Sequence, residues 1–62
     1  MKFYLREVRT EAQMSQSELS RQSGVSRDTI IGMENGSRKD VSTKTLSALA
    51  DALGVSVVAL LR

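Results

Sequence analysis

Cysteine, histidine and proline are absent from the 62-residue sequence, and glycine occurs only four times. Without cysteine no disulfide can form, and without cysteine or histidine a zinc site with the usual nitrogen and sulfur ligands is excluded. The same absences exclude Cys–His and Ser–His–Asp catalysis, so we expect no enzymatic activity, no metal and no cofactor. Because proline and glycine interrupt helices, their scarcity favours a helical protein.

Aromatic residues make up only 3% of the chain, too few for the platforms that stack single-stranded nucleic acid. No apolar run approaches the roughly 18 residues of a membrane span. Charges interrupt residues 1–7, where a signal peptide needs an apolar stretch. We therefore expect a cytoplasmic protein. The net charge of +2 and the isoelectric point near 9.5 are compatible with nucleic-acid binding without requiring it.

The chain length predicts one small domain, residues 1–62. A domain of this size buries only about 60% of the surface that its unfolded chain exposes. It therefore depends on very regular helix packing or on a partner for its stability.

Apolar spacing and capping residues predict the first two helices. Apolar residues at helical spacing predict an amphipathic first helix over residues 2–13. Ser15 is followed three residues later by Glu18, which is the pattern of a capping box, so a second helix is predicted to begin at Gln16. Gly24 tolerates the positive φ of a helix end and is predicted to terminate it.

Three further helices are predicted from the same kind of signal. Ser26 is a good N-cap for a third helix over residues 27–35, which Gly36 ends. Ser42 begins a fourth helix that stops at Gly54, and Ser56 begins a short fifth helix over residues 57–61. Five helices joined by short connections predict a compact all-α domain.

The second and third predicted helices are separated by only three residues, 24–26, so they must cross steeply. Such a corner needs inward-facing apolar residues on both helices and an apolar plug between them. Leu19, Val25, Ile30 and Met33 meet these needs together.

This pattern resembles the helix-turn-helix of the Cro/repressor-type (XRE) family of DNA-binding proteins, with the motif at residues 16–35. The matching segments are residues 5–9, 14–19, 24–30, 33–36, 45–46 and 49–56. The resemblance implies a lambda-repressor-like domain with its helix-turn-helix at helices 2 and 3. The chain departs from the usual pattern at four positions: Ser20 (usually Ala), Ser23 (usually apolar), Val41 (often Pro) and Gly32, which costs about 1 kcal/mol relative to Ala inside a helix.

The third helix is the candidate reader of DNA bases. With its inward positions subtracted, helical spacing leaves Arg27, Asp28, Ile31 and Gly32 for the outward face, and in the resembled family these positions enter the major groove. Arg can bind guanine or a phosphate, Asp can accept from cytosine, Ile can meet a thymine methyl, and Gly permits close approach. The alternative is a solvated face, which explains the two charged residues well but an exposed Ile31 poorly.

The resemblance also implies contacts with DNA phosphates and one structural ion pair. The phosphate candidates are Gln16, Ser26, Asn35, Arg38 and Lys39. Ordinary alternatives are a polar first helical residue, a simple cap and a solvated basic loop. Arg9 and Glu34 match positions that pair in the family and would tie the first helix to the third; the alternative is two exposed charges.

The last predicted helix carries five apolar residues, of which a core can hold only one side. Val57, Val58 and Leu61 are therefore candidates for a dimer contact. The alternative is that all three pack inward against Leu49 and Leu53.

Together these features predict a double-stranded DNA-binding transcriptional regulator, a repressor that acts as a homodimer on a palindromic operator. A bacterial or phage-encoded protein at the nucleoid would fit this role, and no small-molecule ligand is evident. The rival hypotheses are an antitoxin-like or protein-docking module of the same fold, and a fragment of a longer regulator.

Overall fold

Four α-helices and one 3₁₀ helix follow one another along residues 3–61, which are the residues that the computed structural model describes. They are α1 (Leu5–Glu11), α2 (Gln16–Ser23), α3 (Arg27–Asn35), α4 (Thr43–Leu53) and the 3₁₀ helix Val57–Leu60. The longest, α4, has 11 residues. Within this part of the chain no helix is long and apolar enough to cross a membrane.

Side-chain caps begin the three central helices where the sequence predicts them. The Ser15 hydroxyl accepts from the Glu18 N–H at 3.0 Å, and the Glu18 carboxylate accepts in return from the Ser15 N–H at 3.4 Å. The Ser42 hydroxyl likewise accepts from the Thr45 N–H at 3.1 Å at the start of α4. These bonds satisfy N–H groups that a helix start leaves without intrahelical partners.

The core takes one large, fully buried side chain from each of the five elements. In chain order these residues are Leu5, Leu19, Ile30, Leu49 and Leu60. Burying such a side chain stabilises the fold by about 1.5–3 kcal/mol. Because each helix contributes one of them, undocking of any helix would expose the centre of the core to water.

Two of the predicted helices differ from the observed ones. The first is Leu5–Glu11 rather than 2–13, since the chain turns at Gln13 with φ 60°; residue 2 lies outside the described residues. The predicted fifth helix is present as a short 3₁₀ helix, so the predicted count of five helices is not confirmed. Residues 57–60 form one 3₁₀ turn with i to i+3 bonds, and Leu61 is extended in an antiparallel bridge with Phe3. Ser56 makes no side-chain cap bond, and Leu61, which follows the 3₁₀ helix, is extended with φ −122° and ψ 124°.

We predict that Ser15→Ala lowers the free energy of unfolding by about 1 kcal/mol, because the Glu18 N–H loses its acceptor. For a domain this small, that corresponds to a fall in Tm of roughly 4–8 °C in thermal unfolding. Ser17→Ala is the matched control, since Ser17 is exposed in the same helical turn. Equal Tm values for the two variants would contradict the role of the cap.

Candidate nucleic-acid interface

The corner between α2 and α3 is closed by hydrogen bonds from two serines to the backbone of the same residue. Gly24 ends α2 with φ 77°, a conformation that favours glycine. The Ser20 hydroxyl donates to the Val25 carbonyl at 2.7 Å, and the Ser23 hydroxyl accepts from the Val25 N–H at 3.1 Å. Both serines are departures from the usual family pattern, and sequence reasoning missed their role, which is to satisfy the backbone of a half-buried turn residue.

The outward face of α3 is polar at its start. Arg27 and Asp28 occupy the first turn and are exposed, whereas Ile31 is half-buried. No ion pair joins Arg27 to a carboxylate within residues 3–61. The first turn of α3 therefore presents one cation and one anion to solvent.

Gly32 shares this face of α3 with Asp28 but is not open to solvent, contrary to the expectation from helical spacing. It is buried, because the chain turns back after Gly36 and covers it. The Arg38 N–H donates to the Gly32 carbonyl at 3.0 Å. A methyl group at residue 32 would stand 3.1 Å from the Arg38 Cβ and 3.3 Å from the Ser37 hydroxyl.

The carboxylate of Glu34, near the end of α3, is bound by side chains from α1 and α2. Arg9 makes a bidentate pair with it, from Nε at 2.7 Å and from Nη2 at 3.0 Å. The amide of Gln16 donates to it at 3.0 Å, and Arg6 lies 3.4 Å from the same oxygen. We call these four residues the Glu34 cluster. Sequence reasoning proposed the pair but missed Gln16 and Arg6 as members.

Burial and hydrogen bonding act in opposite directions on Glu34. Its side chain is only 1% exposed, and burial alone would raise its pKa. Hydrogen bonds from Arg9 and Gln16, together with the positive charge of Arg9, outweigh this effect and lower the pKa below its ordinary value. The remaining Arg9 nitrogen donates to the Met14 carbonyl at 2.9 Å, which fixes the guanidinium against the connection between α1 and α2.

The phosphate candidates occupy the start of α2, the start of α3 and the loop after α3. The Gln16 amide nitrogen donates one of its two hydrogens to Glu34, so this end of α2 offers the other hydrogen together with its first backbone N–H groups. The Ser26 hydroxyl caps α3 by accepting from the Thr29 N–H at 3.2 Å. Asn35 accepts from the Ser37 N–H at 2.9 Å, and Arg38 and Lys39 are exposed.

The three dimer candidates differ in their exposure. Among residues 3–61, Val58 is the one large apolar residue that is exposed, and its exposed fraction is 75%. Val57 and Leu61 are partly buried and pack against the core. The inward-packing alternative therefore holds for part of this segment but not for Val58.

The chain matches the helix-turn-helix family model over residues 5–60, which is most of its length. It therefore belongs to the XRE-type helix-turn-helix family, whose domains bind double-stranded DNA and regulate transcription. No curated protein matches the sequence.

We predict that acid weakens the fold through Glu34. Its folded pKa is lowered, so the stabilisation is present above the ordinary carboxyl pKa of 4.5 and is lost as pH falls through the folded value. Glu34→Gln removes the charge, and we expect it to lower the free energy of unfolding at pH 7 by about 1.5–3 kcal/mol. The difference from the parent should shrink as pH falls below 4.5.

Thermal unfolding across this pH range measures the effect. Glu11→Gln is the control, since this exposed carboxylate at the end of α1 belongs to no ion pair within residues 3–61. Its pH profile should follow that of the parent. A gap between Glu34→Gln and parent that stays constant down to pH values near 2 would contradict the prediction.

Proposed function

We propose that the chain represses transcription by binding a palindromic operator as a homodimer, with α3 of each copy in the major groove. The observation that carries this proposal is the exposed first turn of α3. Among residues 3–61, neither Arg27 nor Asp28 takes part in an ion pair, while the other end of the same helix is held by the Glu34 cluster. A helix that is fixed at one end and presents exposed charged groups at the other suits the reading of base edges.

In this proposal Arg27 and Asp28 contact bases, and Ile31 contributes an apolar edge. An Arg fork fits O6 and N7 of guanine, and a carboxylate accepts from N4 of cytosine. The start of α2 binds one phosphate with its free N–H groups. Ser26, Asn35 and Lys39 bind neighbouring phosphates and fix the register of α3 without reading sequence.

The dimer contact is centred on Val58. A side chain that is 75% exposed gains by association with a second copy, and a two-fold axis brings the same residue of both copies together. The Cα atoms span 23 × 22 × 20 Å, so two such domains packed side by side have centres about 26 Å apart. Half-sites read from one face of DNA are farther apart, about one helical turn or roughly 34 Å, so α3 of each copy must lie on the side of its domain away from the two-fold axis.

Repression follows from occupancy of the operator, since a bound dimer blocks access of polymerase to the same DNA. Such a protein would work at the nucleoid, in the cytoplasm.

Selection of bound sequences from a random pool of duplexes tests this function. We expect a consensus with two-fold symmetry and half-sites about one helical turn apart. The logarithm of the affinity should fall linearly with the logarithm of salt, with a slope of about −0.9 for each phosphate contact. A protein-docking module of the same fold would yield no consensus and little affinity for any duplex.

We predict that Arg27→Ala weakens binding to the selected operator by about 1–3 kcal/mol, because one bidentate base contact is lost. The melting curve should change little, since Arg27 is exposed, and binding to a random duplex should weaken less than binding to the operator. Titration of both duplexes with parent and variant measures the difference. Unchanged affinity for the operator would remove Arg27 from the reading surface.

We predict that Val58→Ser weakens the second step of operator binding by about 1–3 kcal/mol, because an apolar contact between copies is lost. Sedimentation on the full operator and on a half-site duplex separates the two steps. Half-site binding by one chain should be unchanged. One chain per full operator at saturating parent protein would exclude the symmetric dimer.

A further inference from the structure

The side chain missing at Gly32 is replaced on the surface of α3 by one from the loop. Gly32 lies four residues after Asp28, so the two positions share one face of α3. A residue without a side chain would leave a gap there, yet Gly32 is buried. The atoms that cover it belong to Ser37 and Arg38.

Arg38 occupies the space into which a side chain at residue 32 would project. A Cβ built on residue 32 would stand 3.1 Å from the Arg38 Cβ and 3.7 Å from the Arg38 Nε. The stem of Arg38 therefore lies across the helix at Gly32. A side chain of ordinary size at residue 32 would exclude it from this position.

Backbone geometry holds the loop in this arrangement. Gly36 turns the chain with φ 85°, a conformation that favours glycine. The Asn35 side chain accepts from the Ser37 N–H at 2.9 Å, and the Arg38 N–H donates to the Gly32 carbonyl at 3.0 Å. Arg38 thus leaves the loop from a point that is bonded to α3 itself.

The guanidinium of Arg38 is free to bind a ligand. Arg38 is exposed, and no ion pair joins it to a carboxylate among residues 3–61. Arg6 and Arg9, by contrast, are both engaged with Glu34. A planar fork with five donors suits the O6 and N7 acceptors of guanine, whereas a lysine offers only a point charge.

We infer that Arg38 is a specificity-determining residue that contacts a base edge in the major groove, from the position on α3 that Gly32 leaves open. The sequence alone suggested only a phosphate contact for it. The inference rests on the proposed function, since α3 must lie in the groove for Arg38 to reach a base.

Arg38→Lys separates base reading from phosphate binding, because it keeps the charge and removes the fork. On the selected operator we expect one base pair of each half-site to lose preference by about 5- to 150-fold, the range for one bidentate pair. Affinity for a random duplex and the salt slope should stay the same. Repeating the selection with the variant identifies the base pair.

Two controls define the expected pattern. Arg21→Lys makes the same change at an exposed residue in the last turn of α2, and the consensus should not change. Lys39→Ala removes the neighbouring exposed cation, and should weaken binding to operator and random duplexes by the same factor, with a smaller salt slope.

Gly32→Ala tests the placement from the other side of the contact. The added methyl would stand 3.1 Å from the Arg38 Cβ, so the stem must give way by a few tenths of an ångström, which is enough to disturb a bidentate contact. We expect loss of preference at the same base pair, and no further loss when Gly32→Ala is combined with Arg38→Lys. Far-ultraviolet circular dichroism and a melting curve establish that both variants are folded.

Two results would overturn the inference while leaving the proposed function intact. In one, Arg38→Lys yields the parent consensus with unchanged preference at every position. In the other, it weakens operator and random duplexes equally. If the parent chain itself gives no consensus, the proposed function fails, and the inference fails with it.

Discussion

The arrangement of the helices depends on one buried carboxylate. A charge with a 1% exposed side chain is costly unless hydrogen bonds replace the water it loses. Hydrogen bonds to Glu34 from donors on α1 and α2, among them the bidentate Arg9, offset this cost. Removing Arg9, which is 13% exposed, would leave the carboxylate without its ion-pair partner at a cost of about 3–5 kcal/mol, a large share of the stability of so small a domain. The geometry of the Glu34 cluster is therefore strongly favoured, and with it the position of α3.

The Glu34 cluster also brings the start of α2 next to the end of α3. Gln16 is the first residue of α2, and its amide is 3.0 Å from the Glu34 carboxylate. The free N–H groups of α2 are consequently held at a fixed distance from the loop that follows α3. If the start of α2 and the loop after α3 both bind phosphates, as we propose, the Glu34 carboxylate determines the distance between these two contacts with the DNA backbone. The same bonds that stabilise the fold then determine how α3 enters the groove.

Local signals in the sequence predict most of the fold, whereas contacts between segments that are distant in the sequence could not be predicted. The caps at Ser15, Ser26 and Ser42 were predictable because a hydroxyl acts on N–H groups within three residues. The burial of Gly32 was not, since it depends on the path of the chain after Gly36 rather than on helical spacing. The bridge between Phe3 and Leu61 was not predictable either, because it pairs residues that are far apart in the sequence.

Gly32 is unfavourable for an isolated helix but has a structural role in the folded protein. Its cost of about 1 kcal/mol relative to alanine is a property of the isolated helix. In the domain the same absence of a side chain admits a bond from the Arg38 N–H to the Gly32 carbonyl and lets the loop close over α3. Ile30 and Met33 of the same helix are buried in the core. If Arg38 contacts a base, as we infer, recognition at this point of α3 is set by a residue of the loop rather than by a residue of the helix itself.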